Sequence, residues 1–268
     1  MIMENLKHPL SVAPTELQTE HLPAVGMLSY PTPESVCGKD DRTQVTNTQV
    51  SPYYFICSLI ITMPNGARYV GSGWLASFNN SFPGGKWNNN VIMTSGHCVY
   101  AGGSTNSFAK SIQVIPGRNG SQQPYGSYTA TTNCLRASGE WQNSSNPDYD
   151  YGAILIPKEV IDTWGSMGWA NAPTGDLEKI NITNTGYPAD KPSGTLWTAN
   201  GPITEVTQHQ FKYMNDTYGG QSGSPAYSSY EGYLRALGIH GYGGCPNASV
   251  RLTQNVVDDM LKWANEPC

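Results

Sequence analysis

A turn that only glycine permits narrows the possible folds most. Residues 216–227 read Asp-Thr-Tyr-Gly-Gly-Gln-Ser-Gly-Ser-Pro-Ala-Tyr, with two glycines before Ser222 and one after it. Residues without a Cβ reach backbone conformations that side chains forbid, so the chain can double back sharply here. Such a turn lifts the Ser222 hydroxyl clear. It also aims the N–H groups of Gly220 and Ser222 at one point, which is the requirement for an oxyanion hole. A Gly-x-Ser-Gly stretch alone is equally an ordinary surface loop, so the choice rests on the remainder of the chain.

Two further stretches bear on that choice. Thr94-Ser95-Gly96-His97-Cys98-Val99 follows the apolar run Val91-Ile92-Met93. A histidine just past a short buried strand is placed to take a serine proton; the plain alternative is a structural histidine satisfied in the core. Asp148-Tyr149-Asp150-Tyr151-Gly152-Ala153-Ile154-Leu155-Ile156 carries a carboxylate into an apolar strand. Burying it is costly without a partner. An imidazole N–H is such a partner, and the pairing fixes the histidine tautomer. The order His, Asp, Ser is that of chymotrypsin-like proteases, not of subtilisins or α/β-hydrolases.

Ser-Gly-His-Cys, Asp-Tyr-Gly-Ala-Ile and Gly-Gly-Gln-Ser-Gly-Ser-Pro together resemble the three signatures of the bacterial-type glutamyl endopeptidases, a secreted branch of the chymotrypsin-like serine proteases. The resemblance extends to Asp40-Asp41-Arg42-Thr43, Pro116-Gly117-Arg118-Asn119-Gly120, Gly186-Tyr187-Pro188 and Ile239-His240, and covers residues 35–265. It implies an all-β chain of two six-stranded antiparallel β-barrels with a C-terminal α-helix. Residues 35–160 would form the N-terminal barrel, carrying His97 and Asp150, and residues 161–268 the C-terminal barrel, carrying Ser222. In these roles Ser222 is the nucleophile, His97 the base and Asp150 the residue that orients it, with Gly220 and Ser222 as oxyanion donors. Asp148 is the rival for the third role, since residues two apart share a strand face. Asp150 is preferred because Tyr151-Gly152-Ala153-Ile154 leads directly into the strand, as in the family.

The same resemblance bears on specificity. In such a fold the residues just before the serine, and a strand further on, wall the pocket for the side chain preceding the cut. Here these are Thr217 and Leu237-Gly238-Ile239-His240-Gly241, and Thr217 and His240 match positions that bind the substrate glutamate in relatives. A hydroxyl and an imidazole can each donate to a carboxylate; for His240 the alternative is a core histidine. Asp216 points the other way. It stands where trypsin-like enzymes keep the aspartate that binds Lys or Arg, and two carboxylates in one dry pocket repel. Cleavage after Lys or Arg is therefore the competing specificity. A catalytically silent, secreted β-rich binding protein is the competing class.

Residues 1–34 stand apart, polar and proline-dotted, and read as a pro-segment or a disordered tail. Mature chains in the family begin where Ser35 falls, and their new amine helps neutralise the substrate carboxylate. Ser35 is thus a third expected substrate-binding residue. Chymotrypsin uses an aspartate just before its serine to receive that amine. Gln221 stands here instead and carries no charge.

The whole chain fits this class. Charged residues make up only 13%, while Gly (29), Pro (19) and Tyr (16) are plentiful, a mixture suited to many short strands with punctuated turns. A net charge of −5 argues against nucleic acid or an anionic membrane as partner, and no apolar run approaches the ~20 residues of a membrane span. A monomer acting on protein or peptide substrates, with no cofactor and no metal, is expected. The six cysteines have no Cys-x-x-Cys spacing, so zinc is not indicated, and an even count fits three disulfides in an oxidising compartment. A secreted, extracellular protein is expected, although residues 1–30 contain no basic start followed by an apolar core.

Strand-like runs are Tyr53–Thr62 and Arg68–Ala76 around the turn Met63-Pro64-Asn65-Gly66, then Val91–Thr94, Ser111–Pro116, Tyr128–Thr132 and Ala153–Ile156. The second half offers Ile180–Gly186, Thr195–Gly201, Phe211–Asn215, Ser224–Tyr227, Leu234–His240 and Ser249–Thr253. A helix over Thr253–Asn265 follows from the spacing of Val256, Val257, Met260 and Leu261. Relatives tend to carry a cysteine at the position of Gly71, bridged to the one beside the catalytic histidine. With Gly71 here, Cys57 on the neighbouring strand is the expected partner of Cys98.

Overall fold

The computed structural model describes residues 21–24, 35–78, 89–102, 106–157 and 164–268. Of the expected pro-segment, only residues 21–24 are among these; Glu34 lies outside them. The chain runs through β1 (Thr43–Val45), β2 (Ile56–Thr62), β3 (Arg68–Ala76), β4 (Asn89–Thr94) and the one-turn helix α1 (Gly96–Val99). Then come β5 (Tyr100–Ala101), β6 (Ser107–Phe108), β7 (Ser111–Pro116), β8 (Tyr128–Thr131), β9 (Leu135–Ala137), α2 (Gly139–Ser144) and β10 (Gly152–Pro157). The second half holds β11 (Gly168–Trp169), α3 (Thr174–Leu177), β12 (Asn181–Gly186), β13 (Leu196–Val206) and β14 (Gln210–Tyr213). It ends with β15 (Pro225–Tyr230), β16 (Tyr233–Tyr242), β17 (Asn247–Arg251) and α4 (Gln254–Trp263).

Two antiparallel barrels result, the chymotrypsin-like architecture. The first sheet has the order β8-β7-β2-β3-β4-β10-β9, and β9 is a three-residue addition at its edge. In the second, β13-β12-β15-β16-β17-β14 closes on itself because β14 pairs back to β13. The β2–β3 hairpin turns where Gly66 takes φ +85° and its N–H donates to Met63 O at 2.9 Å. One apolar cluster runs from Ile56, Leu59, Trp74, Ile92 and Ile154 across to Ile239, Met260 and Trp263; a smaller one gathers Ile182, Phe211, Tyr213 and Leu237.

Both chain ends cross the division at residue 160. β1 pairs with β13, setting Thr43 opposite Thr198, so the start of the first half joins the second sheet. At the other end α4 returns to the first barrel. Tyr151, next to β10, donates its hydroxyl to Asp259 Oδ2 at 2.7 Å, and Cys134 is bridged to Cys268.

The short strands β1, β5, β6, β9 and β11 lie outside the runs read from the sequence, and two of the expected runs differ in their bounds for a local reason. The run from Tyr53 begins as a 3-10 turn, Tyr53–Phe55, because Phe55 N–H bonds back to Pro52 O. Gly201-Pro202 looks like a strand end, yet β13 continues to Val206. It leaves β12 at Pro202, which has no N–H to give, bulges between Ile203 and Glu205, and goes on to pair with β14.

The cysteines need correction. Cys37 is bridged to Cys245, and Cys57 and Cys98 are buried free thiols, so the Cys57–Cys98 bridge is not formed and two disulfides stand where three were expected. The register explains this. Cys98 Sγ lies 3.1 Å from where a Cβ on Gly71 would stand, whereas Cys57 is paired across the hairpin with Gly73, two residues further along. The position that faces Cys98 carries no sulfur.

Candidate active site

β4 and β10 pair with Thr94 opposite Gly152, which brings the residues just beyond their ends together. Those residues are His97, in α1, and Asp150, in the turn before β10. Asp150 is fully buried; its Oδ1 accepts the His97 backbone N–H at 2.8 Å and its Oδ2 lies 2.6 Å from His97 Nδ1. A side chain at residue 96 would come within 2.8 Å of both Asp150 Oδ1 and Trp141, so only glycine fits there. Burial works against a charge on His97, but the Asp150 carboxylate outweighs it and holds the ring well above the ordinary imidazole range. Asp148, the rival carboxylate, accepts from Gln210 Nε2 at 3.0 Å and does not meet His97.

The turn around Ser222 is held from three sides. Ser72 N–H donates to Ser222 O at 2.8 Å, Gly223 N–H donates to His240 O at 2.7 Å, and Cys98 Sγ is 3.6 Å from Ser222 O. Gly223 has φ +87°, and a Cβ there would overlap Thr94 Oγ1 and Ser72 O. The two expected oxyanion donors are oriented through their peptide planes, since N–H and C=O of a trans peptide point in opposite directions. Gly219 O accepts Ala189 N–H at 2.8 Å, which turns the Gly220 N–H the other way. Gln221 O accepts Ser224 N–H at 2.9 Å and does the same for Ser222 N–H. Gly220 itself has φ +102°, and its carbonyl takes the Ser72 hydroxyl at 2.8 Å.

Asp216 is buried but already used. Its Oδ1 accepts Cys37 N–H at 2.5 Å and its Oδ2 accepts Asp41 N–H at 2.8 Å. Burial and the nearby Asp216 charge raise the Asp41 carboxyl. Thr217, next in sequence, is buried with no partner for Oγ1 among the described residues, and its N–H donates to Ser35 O at 3.3 Å. Ser35 is held there by Asn247, which accepts the Ser35 N–H at 3.0 Å and donates to Ser35 O at 2.8 Å. His240 is fully buried, with Nδ1 2.6 Å from Tyr213 Oη. Burial pushes its pKa down to about 3, against a smaller upward pull from an Ala248 backbone hydrogen bond, so the ring is neutral near pH 7.

Three contributors escaped the sequence reading. Tyr242 donates its hydroxyl to Asp150 Oδ2 at 2.5 Å. It reaches there because β16 is irregular between His240 and Tyr242, and an alternation rule sees only an exposed Gly-Tyr-Gly-Gly end. Asn247, in an Asn-x-Ser sequence, reads as a glycosylation site, yet it is buried and ties residue 35 to the Asn215 carbonyl just before Asp216. Arg42, inside the Asp-Asp-Arg-Thr motif, has its guanidinium between Asp40 and Asp190, with Nη1 3.5 Å from Gln221 Oε1. Gln221 Oε1 also accepts Tyr218 N–H at 3.0 Å, so a neutral side chain pins the turn before the serine.

Among the described residues no helix is long and apolar enough to cross a membrane, and no three His, Cys, Asp or Glu side chains are grouped to hold a metal. The profile of the family described as Trypsin matches residues 65–264. A glutamyl endopeptidase of Bacillus licheniformis is 37% identical over 243 residues, covering 87% of this chain and 70% of that protein. A Bacillus subtilis protein described as an extracellular metalloprotease is 35% identical, covering 87% of this chain and 71% of its own length. Among solved structures, a Glu endopeptidase in complex with MPD superposes with a TM-score of 0.71 at 27% identity, covering 85% of this chain and 98% of that one.

Proposed function

This chain belongs to the trypsin family of serine endopeptidases, and we propose that it cleaves peptide bonds after glutamate, less well after aspartate, by a Ser-His-Asp acyl-enzyme mechanism. Ser222 attacks the scissile carbonyl while His97 takes its proton; His97 then returns it to the leaving amine, and Asp150 stabilises the imidazolium between the two steps. The developing oxyanion is received by the N–H groups of Gly220 and Ser222. Water then attacks the acyl-enzyme by the same proton route in reverse.

The observation that carries the glutamate assignment is the state of Asp216. Both its oxygens are engaged by backbone N–H groups of the segment after Ser35, so it is not left to bind a Lys or Arg side chain. The neighbouring groups are donors: the Thr217 hydroxyl, and His240. Tyr213 Oη lies 2.6 Å from His240 Nδ1; in the tautomer where that hydroxyl donates, the ring proton is on Nε2, and a neutral ring can offer it to a carboxylate. Cleavage between Glu34 and Ser35 would add a charged amine at the place where Asn247 already holds residue 35. An amine with pKa near 8 is mostly protonated at neutral pH. Secretion is part of the same reading, supported by the disulfides Cys37–Cys245 and Cys134–Cys268.

A phosphonate carrying a glutamate-like side chain tests the assignment. It is expected to label Ser222 in processed enzyme much faster than its lysine-like counterpart, and mass spectrometry locates the adduct. Labelling elsewhere, or faster labelling by the lysine-like probe, contradicts it.

A further inference from the structure

The described upstream residues, His21–Ala24, lie on the open edge of β3. β2 pairs along one side of β3 from Arg68 to Trp74, but β4 covers the other side only from Trp74 to Ala76. On that uncovered side, Ser72 N–H donates to Ser222 O at 2.8 Å and Val70 N–H donates to Pro23 O at 2.9 Å. Ala24 forms a parallel bridge with Val70 and has no exposed surface. Two strand residues span about 7 Å, so the Pro23 carbonyl is seated one strand repeat from the backbone of the nucleophile.

His21 and Leu22 form part of the wall of a groove, together with Val70, Tyr187, Pro188, Ala189, Lys191 and Gly194. Two of its walls also support the oxyanion turn. Ala189 N–H holds Gly219 O, and a Cβ on Gly220 would stand 3.3 Å from Val70 Cγ2. Ser222 thus has His240 and β16 on one side, through the Gly223 hydrogen bond, and β3 on the other. On the assignment above, the residue before the cut is bound towards Thr217 and His240. The β3 side is left for the half of the substrate that departs as the amine.

We propose that the β3 edge and the loop containing Tyr187–Gly194 form a docking site for an extended peptide, and that His21–Ala24 fills it as an intramolecular inhibitor until the chain is cut. The inference rests on the protease assignment for its consequence, though not for the docking itself. Pairing by backbone hydrogen bonds to an open edge is tolerant of sequence; Ala24, which has no exposed surface, is the side chain of the segment on which size bears. Before cutting, the segment is tethered and sees the groove at a high effective concentration. After cutting it is a free, weaker competitor. Its direction, parallel to β3, is a property of this docked segment and sets it apart from an antiparallel neighbour.

Docking is tested on the full-length Ser222→Ala chain, which cannot process itself, with and without Ala24→Lys. Hydrogen exchange at the Val70 amide is expected to be about tenfold or more faster in the doubly substituted chain. Inhibition is tested with a synthetic peptide of residues 16–28 against enzyme processed from the full chain. It is expected to compete with substrates that extend three residues beyond the cut and to have at least tenfold less effect on a p-nitroanilide, which has none; the Ala24→Lys peptide is expected to be about tenfold weaker. Equal exchange at Val70 in both chains, or equal inhibition by both peptides, overturns the proposal. Processed enzyme that hydrolyses nothing sinks the protease assignment instead, and the exchange comparison still judges the docking.

Discussion

Asp150 receives hydrogen bonds from His97 N–H, His97 Nδ1 and the Tyr242 hydroxyl, and each has a separate consequence. His97 accepts a proton only when neutral, and its pKa is raised by Asp150. Activity is therefore expected to fall as pH drops through a value above the ordinary imidazole pKa near 6.5, read from the acid limb of kcat/KM. Tyr242→Phe removes a donor from the carboxylate, which then holds the imidazolium more firmly. The acid limb should move to still higher pH and kcat fall about tenfold with KM little changed; an unaltered profile would leave Tyr242 with a packing role only. Ser222→Ala and His97→Ala should each lower turnover by about 10⁴–10⁶ in a folded protein. His240→Leu should lower kcat/KM for glutamate substrates about 10²-fold while leaving small neutral residues before the cut unaffected, because only a carboxylate loses a donor. The contact of His97 with Asp150 and the tight turn at Ser222 were legible because each residue sits in a local motif with its own backbone requirement. Tyr242 was not, since its role depends on an irregular register in β16 that no spacing rule encodes.

At the scale of elements, β3 is the strand on which most depends. Its run Arg68–Ala76 was readable to the residue from the Met63–Gly66 turn and the apolar spacing. Its hairpin pairing with β2 was readable too, but the partners on its other edge were not, because that edge is completed by Ser222 and by residues 23 and 24, far away in sequence. The same holds for β1, three residues long and meaningful only beside β13. Gly71 offers a direct check of the β3 register. A Cβ there would lie 3.1 Å from Cys98 Sγ, the separation found across a disulfide, with Ile61 Cδ1 required to give slightly. Gly71→Cys is expected to bridge to Cys98, reducing the titratable thiols of the denatured, unreduced protein from two to one, and to stabilise it by about 3 kcal/mol. Three thiols in the variant would mean the register is wrong.

Over the whole molecule, the segment that follows Glu34 is bound before any cut is made. Cys37 is bridged to Cys245, Asp216 holds Cys37 and Asp41, and Asn247 holds Ser35. Processing would therefore create a charge in a pocket that is already built, unlike a switch that has to assemble one. Full-length protein is expected to be nearly inactive and to mature to a chain beginning at Ser35, as intact mass will record; a fully active chain still starting upstream would remove the segment from the mechanism. The central claim, cleavage after glutamate, is tested most directly by kcat/KM across peptides that differ only in the residue before the cut. Glutamate is expected to lead, aspartate to follow, and Lys and Arg to trail glutamate by about 10²-fold or more, the cost of a cation facing donors that seek a carboxylate. A preference for Lys or Arg that disappears in Asp216→Asn would contradict the account.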